Sequence, residues 1–131
     1  MQIPLYTALT ASIIMVLQMA LMLMVGFARL RTNTNIGEGD NEEMLLAIRR
    51  HGNLAENSAL FLVLLALGEM IAGSTNVILS LGVIFIIVRI AHAIGLSMGG
   101  GANAPRAVGA FGTLLTGVGA AVYATYAALG F

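Results

Sequence analysis

Residues 48–67 read Ile-Arg-Arg-His-Gly-Asn-Leu-Ala-Glu-Asn and then Ser-Ala-Leu-Phe-Leu-Val-Leu-Leu-Ala-Leu, so a polar cluster runs directly into an apolar helix. Polar and ionisable side chains are costly in hydrocarbon, and those found there face the inside of a bundle or a water-filled cavity. The cluster therefore predicts a functional or partner-facing surface near one end of a membrane-spanning segment.

The composition of the whole chain is typical of a membrane protein. Of its 131 residues 59% are hydrophobic and 9% are charged, whereas a soluble domain carries about 25% charged residues. Six basic residues balance six acidic ones, so the sequence shows no excess of basic residues that would predict a nucleic-acid partner. The chain has no cysteine, which excludes disulfides, thiolate metal ligands and a cysteine nucleophile. Its length fits one domain spanning 1–131.

Four apolar runs predict four transmembrane helices, each long enough to cross a hydrocarbon core of about 30 Å. We expect these helices at about 3–28, 41–72, 77–98 and 104–129. The first run is longer than the apolar part of a signal peptide, so we expect it to be retained. Arg29 and Arg31 are expected to end the first helix. Asp40 with Glu43 resembles a capping box, which predicts that the second helix starts near Asn41.

The distribution of arginines predicts the orientation in the membrane. Five arginines flank the first and third loops of the predicted bundle: Arg29, Arg31, Arg49, Arg50 and Arg106. Both termini and the turn at 72–76 carry no Lys or Arg. Because loops rich in Lys and Arg stay in the cytoplasm, we expect both termini to lie outside the cytoplasm.

Helical spacing divides the polar cluster into two faces. At 100° per residue, Arg49, Asn53 and Glu56 fall within about 60° of one another, whereas His51 points to the other side. We therefore expect one face of the second helix to hold a ligand or a partner helix, and His51 to be structural. For Arg49 and Arg50, a role as topology anchors at the membrane interface is an open alternative.

Depth estimates bring further polar groups to the level of this face. At a rise of 1.5 Å per residue, Glu56 lies about 24 Å down the second helix, and Arg89 and His92 about 18 and 22 Å down the third. We therefore expect an ion pair between Glu56 and Arg89 inside the bundle, with His92 alongside. The pair has two open interpretations, a lock between two helices and part of a ligand site. A metal site is disfavoured, because His51 faces away from Glu56.

Two further features of the helices carry expectations. Glu69, near the outer end of the second helix, is expected at the membrane interface. Small residues recur at every fourth position of the fourth helix, which favours tight packing within the bundle over a ligand channel. They form two parallel rows, Gly109, Thr113, Gly117, Ala121 and Thr125 in one and Gly112, Thr116, Ala120, Ala124 and Ala128 in the other.

Together these motifs resemble those of the MAPEG family, the membrane-associated proteins in eicosanoid and glutathione metabolism. Residues 49–56, Arg-Arg-His-Gly-Asn-Leu-Ala-Glu, are similar to the family's R-x-H-x-N-x-x-E signature. Residues 89–92, Arg-Ile-Ala-His, are similar to its R-x-x-[HY] element, and Arg106 follows Pro105 where family enzymes carry an arginine. The first motif looks most like that of the small bacterial inner-membrane branch.

The resemblance implies an all-α integral membrane protein, a four-helix bundle that assembles as a homotrimer in the bacterial inner membrane. It also implies glutathione as co-substrate, bound between subunits near the cytoplasmic side. By the same resemblance Arg106 would hold the thiolate, and five residues would bind glutathione: Arg49, Asn53, Glu56, Arg89 and His92. Arginine suits the carboxylates of glutathione, and a nearby cation favours the nucleophilic thiolate form of a thiol.

Three functions are compatible with these residues. The first is a glutathione-dependent transferase or peroxidase acting on lipophilic electrophiles that arrive through the bilayer. The second is a catalytically silent MAPEG-like binding or structural protein, because Gly52, Leu96 and Ala107 replace polar residues found in many glutathione-using members. The third is a small multidrug transporter with Glu56 coupling protons, which we rank last because Arg89 is expected to neutralise that carboxylate.

Overall fold

The structure, a computed structural model, describes residues 2–130. Over this range the chain forms four helices and no strand: α1 (Leu5–Thr32), α2 (Glu42–Ala72), α3 (Asn76–Ser97) and α4 (Ala104–Ala128). All four are long and apolar enough to cross a membrane. The expected all-α architecture of four membrane-spanning helices is confirmed.

The end of α1 and the capping residue of α2 differ from those expected. α1 continues through both of its arginines to Thr32, because arginine is a good helix former and basic side chains near a helix C-terminus are stabilised by the helix dipole. α2 is capped by Asn41, whose side chain accepts a hydrogen bond from the backbone N–H of Met44 (3.1 Å). Asp40 lies in the left-handed backbone region (φ 51°), so its predicted capping role is wrong.

The starts of α3 and α4 are also capped by side chains. Thr75 accepts a hydrogen bond from the N–H of Ile78 (3.3 Å), and Asn103 accepts one from the N–H of Arg106 (2.9 Å). Asn103 in addition donates from Nδ2 to the carbonyl oxygen of Gly95 (2.8 Å). One residue therefore caps α4 and ties it to the end of α3.

The start of α1 is capped by a residue of another helix. Pro4 precedes α1 without a side-chain cap. The carboxylate of Glu69 in α2 accepts hydrogen bonds from the N–H groups of Tyr6 (2.8 Å) and Thr7 (2.7 Å), and from the hydroxyls of Thr7 (2.7 Å) and Ser74 (2.6 Å). Glu69 is fully buried. This residue, expected at the interface, is thus a buried anchor that fixes α1 to α2.

Across the described part of the chain, α2 and α3 form the centre of the bundle. α1 packs against both of them, α4 packs against both of them, and α1 and α4 do not contact each other. The core between α2 and α3 contains the stacked rings of Phe61 and Phe85, whose centroids lie 3.8 Å apart. Large apolar side chains elsewhere on the helices face outward, as expected for a surface covered by lipid.

Close contact between α3 and α4 depends on glycine. A methyl group added at Gly109 would lie 2.6 Å from the Cα of His92, and one at Gly112 would lie 2.9 Å from the Cβ of Val88. Gly117 has nothing within 4 Å of such a methyl group. Tight packing within the bundle is therefore confirmed at Gly109 and Gly112, whereas Gly117 faces open space.

Candidate ligand-binding cavity

A cavity of about 540 Å³ lies between α2, α3 and α4, within the size range of small-molecule sites. One part of its wall is polar, with side chains from all three helices: Asn53, Glu56 and Asn57 of α2, Arg89 and His92 of α3, and Thr113 of α4. The rest of the wall is apolar or small: Leu60, Phe61, Leu64, Phe85, Ala110, Leu114, Gly117, Val118 and Ala121. The cavity can therefore hold a molecule with a polar and an apolar portion.

Arg89 is the most unusual member of the polar wall. Its side chain is only 3% exposed, and its Nη1 donates to the hydroxyl oxygen of Thr113 (3.0 Å). Its Nε is buried without a hydrogen-bond partner. None of the acidic side chains in residues 2–130 comes within 4.0 Å of it. A guanidinium is buried beside a cavity without a counter-charge within 4.0 Å from residues 2–130.

His92 lies one helical turn beyond Arg89 on the same face of α3. It is 7% exposed, and its Nδ1 is buried without a hydrogen-bond partner. Its backbone lies against Gly109, so α4 covers this turn of α3 closely. Two side chains that line the same cavity therefore each keep a buried nitrogen atom without a hydrogen-bond partner.

The α2 side of the cavity carries two amides and a carboxylate. Asn57 donates from Nδ2 to the backbone oxygen of Asn53 (2.8 Å), one turn earlier. Glu56 is exposed at the cavity wall. The expected ion pair between Glu56 and Arg89 is absent, because the two side chains line the same cavity without approaching within 4.0 Å, and similar depth alone does not bring them together. The transporter was ranked last because Arg89 was expected to neutralise Glu56, and that reason is therefore wrong.

Two predicted site residues lie outside the cavity. Arg49 is exposed and does not line it. Arg106, at the start of α4, donates from Nη1 to the carbonyl oxygens of Gly100 (2.7 Å) and Gly101 (3.3 Å) and does not line it either. The structure therefore brings together Asn53, Glu56, Arg89 and His92 among the six predicted site residues.

The other two polar residues of the motif also lie away from the cavity. Arg50 donates to the hydroxyl of Ser97 (2.7 Å) and so joins α2 to the end of α3. The backbone oxygen of His51 accepts a long hydrogen bond (3.4 Å) from Gln18 of α1. His51 does not line the cavity, in agreement with the wheel, and with His92 it forms no metal-binding cluster among the described residues.

Two polar residues of the cavity wall were not predicted as site residues. Asn57 follows Glu56 directly. On the helical wheel it lies next to the face that carries Arg49, Asn53 and Glu56, and this position was the available signal. Thr113 belongs to one of the two rows of small residues in α4, where it gave no signal of its own. Only the fit of α4 against α3 brings its hydroxyl to Arg89.

A model of the MAPEG family matches residues 7–126, which is nearly the whole chain. The chain belongs to the MAPEG family. No curated protein and no solved structure matches it. MAPEG proteins include glutathione transferases and peroxidases and also non-catalytic members. Membership therefore supports an integral membrane protein and does not by itself identify a reaction.

The three positions at which this MAPEG chain departs from many glutathione-using members do not line the cavity. Leu96 is buried at 3% exposure in the protein interior. Ala107 is exposed on the first turn of α4. A methyl group added at Gly52 would meet only the Oε1 of Glu56, at 3.7 Å, so this position has room for a side chain. The departures leave the polar wall of the cavity intact.

Proposed function

We propose that this MAPEG protein is a membrane-embedded glutathione-dependent transferase or peroxidase. Glutathione would bind at the polar wall of the cavity, and a lipophilic electrophile would reach it through the bilayer and occupy the apolar part. The volume of about 540 Å³ and the mixed lining support two such partners meeting in one place.

The observation that carries the proposal is the isolated guanidinium of Arg89. An uncompensated charge within a membrane helix costs about 3 kcal/mol even on a lenient scale. Such a charge is retained where it has a function, and here it is buried beside a cavity and has no carboxylate within 4.0 Å. An anionic ligand would supply the missing counter-charge, and glutathione is an anion with two carboxylates.

The residues present fit glutathione chemically. Arg89 would pair with a carboxylate through two parallel N–H groups. Asn53 and Asn57 offer amide groups to the peptide-like backbone of glutathione, and the carboxylate of Glu56 would accept from its ammonium group. His92, which lines the same polar wall, would contribute to this site. Glutathione itself would supply the thiol. Its proton would pass to water, and its sulfur would then form a bond to a carbon of the electrophile as that carbon loses its leaving group.

Thiolate stabilisation would require a change at Arg106. Its Nη1 is engaged by the carbonyl oxygens of Gly100 and Gly101. We propose that Arg106 exchanges these loop carbonyls for the thiolate when glutathione binds. A cation beside the sulfur favours the thiolate form and so generates the nucleophile. Arg49, on the exposed surface of α2, would assist glutathione binding.

The second candidate is a MAPEG protein that binds glutathione without turning it over. It is favoured by one observation, the engagement of Arg106 with loop carbonyls outside the cavity. If Arg106 keeps those partners in the complex, the bound thiol lacks its cation. The two candidates therefore share the ligand and differ in the ionisation of its sulfur.

We further propose a homotrimer in the bacterial inner membrane with both termini outside the cytoplasm. The arginine-rich loops support this orientation. Glu56 is exposed at the wall of an open cavity, and a neighbouring subunit that covers it would complete the site. Molecular mass measured in detergent by light scattering distinguishes a trimer from a monomer or dimer.

The test is a titration of the detergent-purified protein with glutathione, following binding heat and thiolate absorbance. We expect saturable binding by the wild-type protein and loss of binding in Arg89→Gln. Arg50→Gln is the matched control, because this arginine bonds to Ser97 outside the cavity and its loss should leave binding unchanged. Absence of binding heat at millimolar glutathione would sink the proposal.

A second measurement separates the enzyme from the silent binder. We expect Arg106→Ala to keep the binding heat and lose the thiolate absorbance. Turnover is then measured with 1-chloro-2,4-dinitrobenzene for conjugation and cumene hydroperoxide for peroxide reduction. Binding without thiolate formation in the wild-type protein would favour the silent candidate.

A further inference from the structure

Thr113 is the one described residue that holds the guanidinium of Arg89 by a hydrogen bond. Arg89 Nη1 donates to Thr113 Oγ1 at 3.0 Å. A guanidinium has five N–H donors and no acceptor, and here the Nε donor is buried without a partner. Among the described residues, the one hydrogen bond that orients this planar group therefore comes from α4.

The hydroxyl of Thr113 is itself fixed in direction. It donates to the carbonyl oxygen of Gly109, one turn earlier in α4, at 2.7 Å. A hydroxyl has one hydrogen and two lone pairs, so the hydrogen is used within α4 and a lone pair is left for Arg89. β-branching restricts the threonine side chain further. Thr113 thus presents an acceptor in one direction.

The register of α4 against α3 keeps this acceptor in place. A methyl group at Gly109 or Gly112 would collide with α3, at 2.6 Å from His92 Cα and 2.9 Å from Val88 Cβ. These two glycines lie one turn before Thr113 and next to it. Because neither contact leaves room to slide, the distance from Thr113 to Arg89 is set by rigid helix packing.

Thr113 and Arg89 also line the same cavity. With Nη1 held by Thr113, the remaining N–H groups of the guanidinium keep one orientation in the cavity wall. We propose that Thr113 is the positioning residue that aims Arg89 at the anionic group of the bound ligand. The proposal takes its ligand, glutathione, from the proposed function, but its geometry stands without that ligand.

The test uses two substitutions at one position. Thr113→Val keeps the branched shape and removes the hydroxyl, whereas Thr113→Ser keeps the hydroxyl. We expect Thr113→Val to weaken glutathione binding about tenfold, as expected for losing a hydrogen bond to a charged group. Thr113→Ser should restore affinity to within about twofold of wild type.

Thr116→Val is the matched control on the same helix. The Thr116 hydroxyl also bonds back to α4, at Gly112 O (2.8 Å) and Thr113 O (3.1 Å), but Thr116 is buried and does not line the cavity. The same substitution there should leave glutathione affinity unchanged. Equal weakening by Thr113→Val and Thr116→Val would show a general effect on α4 and overturn the proposal.

A measurement without glutathione separates this inference from the proposed function. The nitrogen-15 signals of the Arg89 side chain, assigned by their loss in Arg89→Lys, report how freely the guanidinium rotates. We expect distinct Nη signals in wild type and Thr113→Ser, and merged signals in Thr113→Val. Unchanged signals in Thr113→Val would overturn the positioning role, even if glutathione binds. If the wild-type signals are distinct but glutathione does not bind, the proposed ligand is wrong, and the positioning of Arg89 by Thr113 is retained.

Discussion

At Arg89 stability and ligand binding are expected to oppose each other. Burying a guanidinium without a carboxylate costs free energy that an apolar side chain would not cost. We predict that Arg89→Met raises the free energy of unfolding of the ligand-free protein by about 2–3 kcal/mol. Stabilisation by added glutathione should disappear at the same time.

Thermal unfolding in detergent, with and without glutathione, checks both parts of this prediction. Arg31→Met is the control, because Arg31 is exposed and pairs with Glu43 at the surface (Nε to Oε1, 2.8 Å). Surface ion pairs contribute about 0–1 kcal/mol, so little change is expected there. A lower unfolding temperature in ligand-free Arg89→Met would mean that the guanidinium is satisfied within the protein.

Glu69 is expected to matter for stability rather than for binding. Its two carboxylate oxygens accept four hydrogen bonds, two of them from backbone N–H groups at the start of α1. Glu69→Gln keeps the size but turns an NH₂ group toward donors. We predict a loss of about 1–3 kcal/mol in unfolding free energy, the cost of leaving buried donors unpaired.

The same change at Glu56, in the same helix, is the matched control for stability. Glu56 is exposed and has no ion pair among the described residues, so Glu56→Gln should change the unfolding free energy by less than about 0.5 kcal/mol. Unfolding in graded denaturing detergent measures both variants. Equal stability of the two would contradict the anchoring role of Glu69.

At the scale of elements, the contact between α3 and α4 requires glycine at particular positions. We predict that Gly109→Ala lowers the unfolding free energy by about 1–3 kcal/mol through overpacking, because the added methyl group meets the backbone of His92. Gly117→Ala should be neutral or stabilise by up to about 1 kcal/mol, because it meets nothing within 4 Å. Similar effects at both positions would argue against the observed register.

The packing also explains why the two rows of small residues behave differently. Thr116, Ala120 and Ala124 of one row are buried. Thr113, Gly117 and Ala121 of the other row line the cavity. Both rows satisfy the same spacing rule in the sequence, so spacing predicts close packing without saying which row packs. The position of α3 decides that: Gly109 of the other row packs against His92, whereas Thr113, Gly117 and Ala121 later in that row line the cavity.

At the scale of the whole molecule, the orientation can be tested by labelling single cysteines, because the natural chain has none. Asn35, between α1 and α2, and Asn76, at the start of α3, are both exposed. With arginine-rich loops in the cytoplasm, a membrane-impermeant maleimide should label Asn76→Cys and spare Asn35→Cys in intact bacterial cells. Inverted membrane vesicles should give the opposite pattern, and the reverse result in cells would refute the orientation.

The two ends of the bundle differ in how far their polar groups are satisfied. At the end where α1 begins and α4 ends, Glu69 caps α1, and the hydroxyls of Thr75, the cap of α3, and Tyr123 of α4 form a hydrogen bond (2.9 Å). Nearer the other end, Arg89 and His92 keep unpartnered nitrogen atoms beside the cavity. One end is thus closed by internal hydrogen bonds, and the proposed ligand site lies nearer the other.

Most of the fold could be predicted from the sequence because its signals are local. Apolar runs, arginine-flanked loops and capping residues depend on neighbours within one helix, and they predicted four helices with small errors at the ends. The ligand face of α2 was predicted in part, since Asn53 and Glu56 line the cavity while Arg49 does not. A helical wheel gives the direction in which each side chain points from its own helix. It does not show which of these directions a neighbouring helix covers.

What the sequence by itself determined was the class of the protein: four membrane-spanning helices, the motifs of its family, and a set of polar residues at similar depth. Only the tertiary structure decided which of them meet. Glu56 and Arg89 share a level but form no ion pair, whereas Thr113, without a distinguishing signal, binds the guanidinium. The physical reason is that contacts between helices depend on rotation and sliding, which are set by close packing at glycines such as Gly109 and Gly112.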